Sequence, residues 1–270
     1  MARVLAISSQ VVRGHVGNSA AAFALQRLGH EVWALPTVIL SNHPGHAHTA
    51  GAITPPGKLR EMVAALAQNG WLGEIDAVLT GYLPSAEHVA FAAETIAKVK
   101  ATGAKPLILV DPVLGDDPGG LYIAQAAALA VRAELLPLAD ILTPNRFELA
   151  WLSGMVVHGA TAAAAAAAKL GPPQILATSI PAPTPQALVN LLWQPHSIAS
   201  CEVPLLDLVP HGTGDLLAAL HLGHLLHGAS PPEAMGKAVA GCAAVIEASN
   251  GADELRLVQS QDLWSGRNSY

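Results

Sequence analysis

Short apolar runs alternate with amphipathic stretches along the whole chain, and this pattern limits the possible folds more than any other feature. Segments 3–8, 31–38, 77–79, 106–110, 141–142 and 174–177 read as strands. Segments 18–28, 58–68, 86–101, 124–134, 160–170, 213–227 and 232–249 read as helices, and another helix opens near Asn145. Such alternation predicts an α/β fold, a mostly parallel central sheet with helices on both faces. Gly29 closes the first helix. Ala187–Trp193 and Ser197–Val203, joined through Gln194-Pro195-His196, read as an antiparallel pair. The alanine tract Ala162–Ala168 predicts a surface helix, alanine being the best helix former. The 270 residues contain no linker rich in Gly, Ser or charge and no internal repeat, so one domain over 1–270 is expected.

Composition narrows the class. Hydrophobic residues make up 51% and charged residues 13%, about half the usual ~25%. The mean hydropathy of +0.40 raises the question of a membrane span. A spanning helix needs about 20 consecutive apolar residues. Gln125, Arg132 and Glu134 interrupt the best candidate, 121–139, and the run 216–229 carries His221, His224 and His227. No membrane partner is therefore expected. Fourteen Lys and Arg against twenty Asp and Glu give a net charge of −6, and no basic cluster is present to neutralise nucleic-acid phosphates. Cys201 and Cys242 are isolated, as expected in a reducing compartment. Met1-Ala2-Arg3 leads straight into Val4–Ile7, too short for a signal-peptide core, and a cytoplasmic protein is expected.

Polar residues gather where the proposed strands end: Ser8-Ser9-Gln10, Asp111, Thr143-Pro144-Asn145 and Thr178-Ser179. Ligands of open parallel sheets bind outside those ends. One such residue is ordinarily a cap or a turn, but four strands ending this way point to a site. The sharpest segment is His211-Gly212-Thr213-Gly214-Asp215, just before a long apolar helix. Its glycines let the backbone approach a ligand, and the helix N-terminus favours an anion or a phosphoryl group in transfer. Asp215 stands where it can take a proton from a substrate hydroxyl. An ordinary Gly-flanked turn with a first-turn carboxylate fits the spacing equally well. Neither GxxxxGK[ST] nor a GxGxxG after the first strand is present, so any ATP site has another architecture. His43, His46 and His48 have metal-like spacing but no carboxylate or cysteine close in sequence, which weighs against a metal. His221, His224 and His227 share one side of a helix and read as packing or interface residues. Asp116–Gly120 reads as an acidic loop over the phosphates.

Six segments spread along the chain resemble one family. Gly212-Thr213-Gly214-Asp215 is similar to the G-[TV]-G-D signature of ribokinase-like kinases, which phosphorylate alcohols with ATP. The stretch from Ile7 through Ser9, Gly14 and Gly17 to Asn18 resembles the I-x-S-x-V-x-x-G-x-x-G-N opening of pyridoxal kinases. Ser41-Asn42-His43 resembles their SNH, Thr80-Gly81-Tyr82 their TGY, Asp111–Asp116 their DPVxGD, and Thr143-Pro144-Asn145 with Glu148 their [TA]PNxxE. Matches run from about residue 4 to residue 262.

The resemblance implies a kinase that moves the ATP γ-phosphate onto the 5′-hydroxyl of pyridoxal in vitamin B6 salvage. It assigns Asp215 as the base and the amides of Gly212, Thr213 and Gly214 as the anion hole. Asp111, Asp116 and Glu148 organise Mg²⁺ and the ATP phosphates, largely through waters, and Asn145 is placed to face the same site as Glu148. Thr143, Thr178 and Ser179 contact phosphates; Ser9, Val16, His43, Tyr82 and Asp215 bind the acceptor. K⁺ is a candidate activator and a homodimer is expected. The chain departs from the family at Pro44-Gly45-His46, where Thr and then an aromatic are usual; at Gln10, where His is usual; at His211, where a small or apolar residue is common; and in a shorter stretch between Ser179 and Val209. Two rivals stay open: a kinase of hydroxymethylpyrimidine or a related heterocycle, and a non-catalytic vitamer-binding regulatory protein.

Overall fold

The computed structural model describes residues 1–206 and 208–265. The chain opens with β1 (Arg3–Val11), α1 (Asn18–Arg27), β2 (Glu31–Leu40), β3 (Gly51–Ile53) and α2 (Pro56–Gln68). It continues through β4 (Ala77–Thr80), α3 (Ala86–Ala101), β5 (Leu107–Val110), the hairpin β6 (Gly115–Asp116) and β7 (Gly120–Leu121), and α4 (Gln125–Ala130). Then come β8 (Ile141–Leu142), α5 (Arg146–Ser153), α6 (Ala160–Ala167), β9 (Gln174–Pro181), β10 (Ala187–Gln194) and β11 (Ser197–Pro204). Three helices finish the described chain: α7 (Thr213–Leu226), α8 (Pro231–Ala248) and α9 (Gln261–Trp264). Nine strands form one sheet in the order β11-β10-β9-β8-β5-β4-β1-β2-β3. The six from β9 to β2 are parallel, while β3, β10 and β11 pair antiparallel with their neighbours. The α/β fold class is as the alternation predicts. None of the described helices is long and apolar enough to cross a membrane.

Side chains alternate between the two faces of a strand, and here the alternation builds two cores. Leu5, Ile7, Val78, Ile108, Val110, Leu142 and Ile175 pack beneath α2–α6. Val4, Leu79, Leu109, Ile141 and Leu176 pack beneath α1, α7 and α8. In register, Ile7 pairs with Thr80, Thr80 with Val110, and Val110 with Leu142. Ile7, Val110 and Leu142 face α2–α6, so the next residue of each strand turns to the opposite face. Ser8, Gly81, Asp111 and Thr143 are thereby brought into one row on the side where α7 begins.

One irregularity shapes this edge. In the β1–β2 pair, Ser8 stands opposite Pro36 but Gln10 opposite Ile39, a bulge. Pro36 has no N–H to give the ladder. The buried Asn18 substitutes: its Nδ2 donates to the carbonyls of Ser8 at 3.1 Å and Leu35 at 3.3 Å. Asn18→Ala is expected to cost about 2 kcal/mol by stranding these carbonyls. Urea unfolding checks this, and a loss under about 0.5 kcal/mol would contradict the account.

Several expectations need correcting. β1, β2 and β9 outrun their apolar cores because pairing carries them on; β9 reaches Pro181 opposite Leu188 of β10. Thr178 and Ser179 therefore lie within β9, not beyond its end. The alanine helix lies on the surface as expected, with Thr161 and Ala165 exposed and Ala163, Ala166 and Ala167 fully buried against the sheet. Their small side chains let α6 approach closely. The acidic loop is the β6–β7 hairpin, with Asp117 ion-paired to Arg146. The helix expected over 124–134 ends as α4 at Ala130 and continues as a π turn and a 3₁₀ turn to Leu138. β3 and α9 are too short to leave a periodic signal. His221 is fully buried, with Nε2 2.6 Å from Gln174 Nε2, and His227 Nε2 lies 2.8 Å from the Leu28 carbonyl; both are packing residues.

Candidate active site

The N-terminus of α7 anchors the site. Gly212 caps it in the left-handed region at φ 99°, where a Cβ would overlap the carbonyl oxygen of His15. Only glycine suits that position. The first intrahelical bond runs from Leu216 N–H to Gly212 O at 3.0 Å, so the amides of the first turn have no partner within the helix. From Leu216 to Gly223 the helix is buried, which fixes its axis and the direction of its positive end. Nothing lies within 4 Å of where a Cβ on Gly214 would stand, so the turn faces open space.

Asp215 is half-buried in that turn. Burial pushes its pKa up to about 6, against the stabilising N–H groups of Gly17 and of Asp215 itself. A carboxylate titrating there is matched to general-base work near neutrality. One oxygen lies 4.0 Å from the Cβ position of Gly81, which puts it at the mouth between β1 and β4. The sequence reading passed over Gly17 as a site residue. Its φ of 56° and the collision a Cβ would make with Ser9 Oγ are what let α1 start here with an amide turned to Asp215. A glycine at a strand-to-helix turn was the available signal. Ser8, one of the strand-end polar residues singled out in the sequence, accepts the Tyr82 N–H at 3.0 Å, while Thr37 donates to the Tyr82 carbonyl at 2.7 Å. Ser9 is partly exposed and Val16 buried on the approach to this turn, whereas the Tyr82 ring packs on the α2–α6 core.

A second acidic group lies beside the first. Asp111 is 8% exposed and its Oδ1 accepts the Thr143 hydroxyl at 3.1 Å. Burial raises its pKa first, then the charges of Glu148 and Asp215. Glu148 is also buried and pushed up to about 7, although the amides of Asn145, Leu114 and Gly115 favour its charge. Its Oε1 accepts from Leu114 at 2.7 Å and its Oε2 from Asn145 at 2.9 Å. Asn145 answers by accepting the Glu148 N–H at 2.9 Å and donating to Gly115 O at 2.8 Å. The pair is thus a capping box for α5, so much of its polarity is spent locally.

Thr178 bridges to Asn145, its N–H reaching Pro144 O at 2.9 Å. Ser179 is exposed at φ 58°, a strained conformation for a residue with a Cβ. Asp116 sits on the hairpin, where its carboxylate, after burial, holds the Tyr122 hydroxyl pKa up. Among the described residues no three His, Cys, Asp or Glu converge to grip a metal directly. Buried oxygen donors whose charge lacks compensation do suit a hydrated Mg²⁺, which keeps its own waters.

On the other side, His43 stacks on His211 with ring centroids 3.7 Å apart. Burial first, then His211, lowers the His43 pKa to about 4. His46 reaches Glu254 at 2.9 Å. Leu205, Leu206, Leu208 and Val209 are exposed on the approach to α7, an apolar wall missed in sequence because it has no periodicity.

The phosphomethylpyrimidine kinase family model matches residues 33–256. A pyridoxal kinase of Corynebacterium diphtheriae is 35% identical over 266 residues, covering 96% of this chain and 94% of that one. One from Rubrobacter xylanophilus is 38% identical over 267 residues, 96% of this chain and 92% of that one. The structure of Leishmania donovani pyridoxal kinase in complex with ADP and pyridoxamine superposes with a TM-score of 0.91 at 33% identity, over 100% of this chain and 97% of that one. With likeness of this extent in both sequence and fold, the chain belongs to the pyridoxal kinase family, on a ribokinase-like fold.

Proposed function

We propose that this protein transfers the γ-phosphate of ATP to the 5′-hydroxyl of pyridoxal, giving pyridoxal 5′-phosphate and ADP. The observation that carries this reading is a half-buried Asp215 with its pKa raised to about 6, one residue from the open amides of a helix N-terminus. The acceptor hydroxyl gives its proton to Asp215 as its oxygen forms a bond to the γ-phosphorus, and the bond to the ADP oxygen breaks. The amides of Gly212, Thr213 and Gly214 hold the charge on the phosphoryl oxygens. Mg²⁺, when bound, neutralises charge on the ATP phosphates. Asp111, Glu148 and Asp116 are assigned to hold it through waters.

Thr143, Asn145, Thr178 and Ser179 line the phosphate path, and the exposed leucines before α7 suit the flat adenine. Ser9, Val16, His43 and Tyr82 are assigned to the acceptor: one hydroxyl for a polar ring edge, with apolar and aromatic walls for its faces. A homodimer, a K⁺ requirement, a cytoplasmic location and a single domain over 1–270 belong to the same reading.

A second acceptor is favoured by the family model itself, since hydroxymethylpyrimidine also carries a hydroxymethyl group on a flat heteroaromatic ring. The test is a panel of pyridoxal, pyridoxine, pyridoxamine and hydroxymethylpyrimidine with ATP, under varied Mg²⁺ and K⁺, measuring phosphorylated product. Pyridoxal is expected to give the highest kcat/KM. Highest turnover on hydroxymethylpyrimidine would replace the acceptor, and tight vitamer binding without product would make the protein non-catalytic.

A further inference from the structure

The geometry points to His211 as a positioning residue: its stack on His43 fastens the 41–50 segment to the turn that opens α7, while the His46–Glu254 pair holds the same segment to 251–256. Its effect on catalysis rests on the proposed kinase reading, in which the acceptor sits between these loops; the contacts do not.

Four segments distant in sequence meet here: 12–17 after β1, 41–50 between β2 and β3, 211–215, and 251–256 after α8. The His43 and His211 rings lie 3.7 Å apart and 22° from parallel. Gly45 N–H donates to His43 Nδ1 at 3.0 Å, so the ring proton of neutral His43 is on Nε2. A Cβ on Gly45 would come within 3.0 Å of both His211 Nε2 and His43 Nδ1, which is why the chain crosses the stack at a glycine. One residue on, His46 Nε2 meets Glu254 Oε1 at 2.9 Å, and the same oxygen is 3.4 Å from Arg13. The other Arg13 terminal nitrogen pairs with Asp253 at 2.8 Å. The Glu254 side chain is only 13% exposed, so the pair is better shielded than a surface ion pair. The Pro44–His46 turn is thus tied on one side by an aromatic stack and on the other by an imidazole–carboxylate hydrogen bond. Both ties use positions, His46 and His211, where this chain departs from the pattern of its family.

Phosphoryl transfer is sensitive to how the acceptor oxygen is aimed at phosphorus. A wall carried on a loop aims well only if the loop is held by packed neighbours. His211 does this one residue before Gly212, so the acceptor wall and the anion-binding turn move as one unit.

The test compares His211→Ala, His211→Phe and Glu254→Gln with His48→Ala, an exposed imidazole on the same segment. Each is read by acceptor KM, ATP KM and hydrogen exchange of residues 41–50. His211→Ala is expected to raise acceptor KM about two- to tenfold, the range for losing a ring stack, with ATP KM changed less than twofold. It should also speed exchange across 41–50, as should Glu254→Gln. His211→Phe should restore both readouts, and His48→Ala should match the parent. Unchanged exchange in His211→Ala, or His211→Phe as impaired as His211→Ala, would overturn the proposal. If the parent phosphorylates no vitamer, the kinase reading fails and exchange alone decides whether the clasp exists.

Discussion

Asp215→Asn is expected to lower turnover by about 10²- to 10⁴-fold, the range for a general acid–base group, while the protein stays folded. The sign of the stability change follows from burial. Folding raises the Asp215 pKa from 3.8 to about 6, so the folded state binds its proton more tightly than the unfolded chain does. That contribution is fully present below pH 4, is lost as pH rises toward 6, and stays lost above. A neutral asparagine does not carry the cost of ionising there. Asp215→Asn should therefore melt at the same temperature as the parent or higher at pH 7 to 8. The parent rate should climb with one proton lost near pH 6, and the variant should lack that limb. Thermal melts and a pH–rate profile check both, and near-parent turnover in Asp215→Asn would remove it as the base.

Gly212→Val is expected to cost about 10²- to 10³-fold in kcat, comparable to losing an oxyanion donor. A β-branched residue is strained at φ 99°, and its Cβ would overlap the His15 carbonyl oxygen, so the turn must rotate its amides away. Gly214→Val separates geometry from bulk, because its Cβ would meet nothing within 4 Å in the protein and, on the proposed reading, would intrude on the phosphoryl group. In both variants the rate should fall further than ADP affinity, measured by calorimetry. Equal losses would reduce the turn to a structural feature.

Much of this architecture was legible before any coordinates. Asn145 with Glu148 three residues on announced a helix start, and α5 does begin there with both halves of the capping box formed. Gly212 before a long apolar run marked the start of α7. Less legible was that Asn145 and Glu148 bond chiefly to each other and to the backbone of Leu114 and Gly115. In the alanine helix, a run of identical residues carries no periodicity, so only the structure decided that Ala163, Ala166 and Ala167 face the sheet.

The sequence by itself determined what depends on neighbours a few residues apart: the periodicities that separate strands from helices, the glycines at positive φ, and the caps that start α5 and α7. These follow from short-range sterics and local hydrogen bonds. Only the tertiary structure decided which residues meet across the sheet. Parallel register brought Ser8, Gly81, Asp111 and Thr143 into one row, the start of α1 at Gly17 turned its amide to Asp215, and loop packing laid His43 on His211. Each depends on strand pairing and on the face each helix covers, free-energy choices made by the whole core.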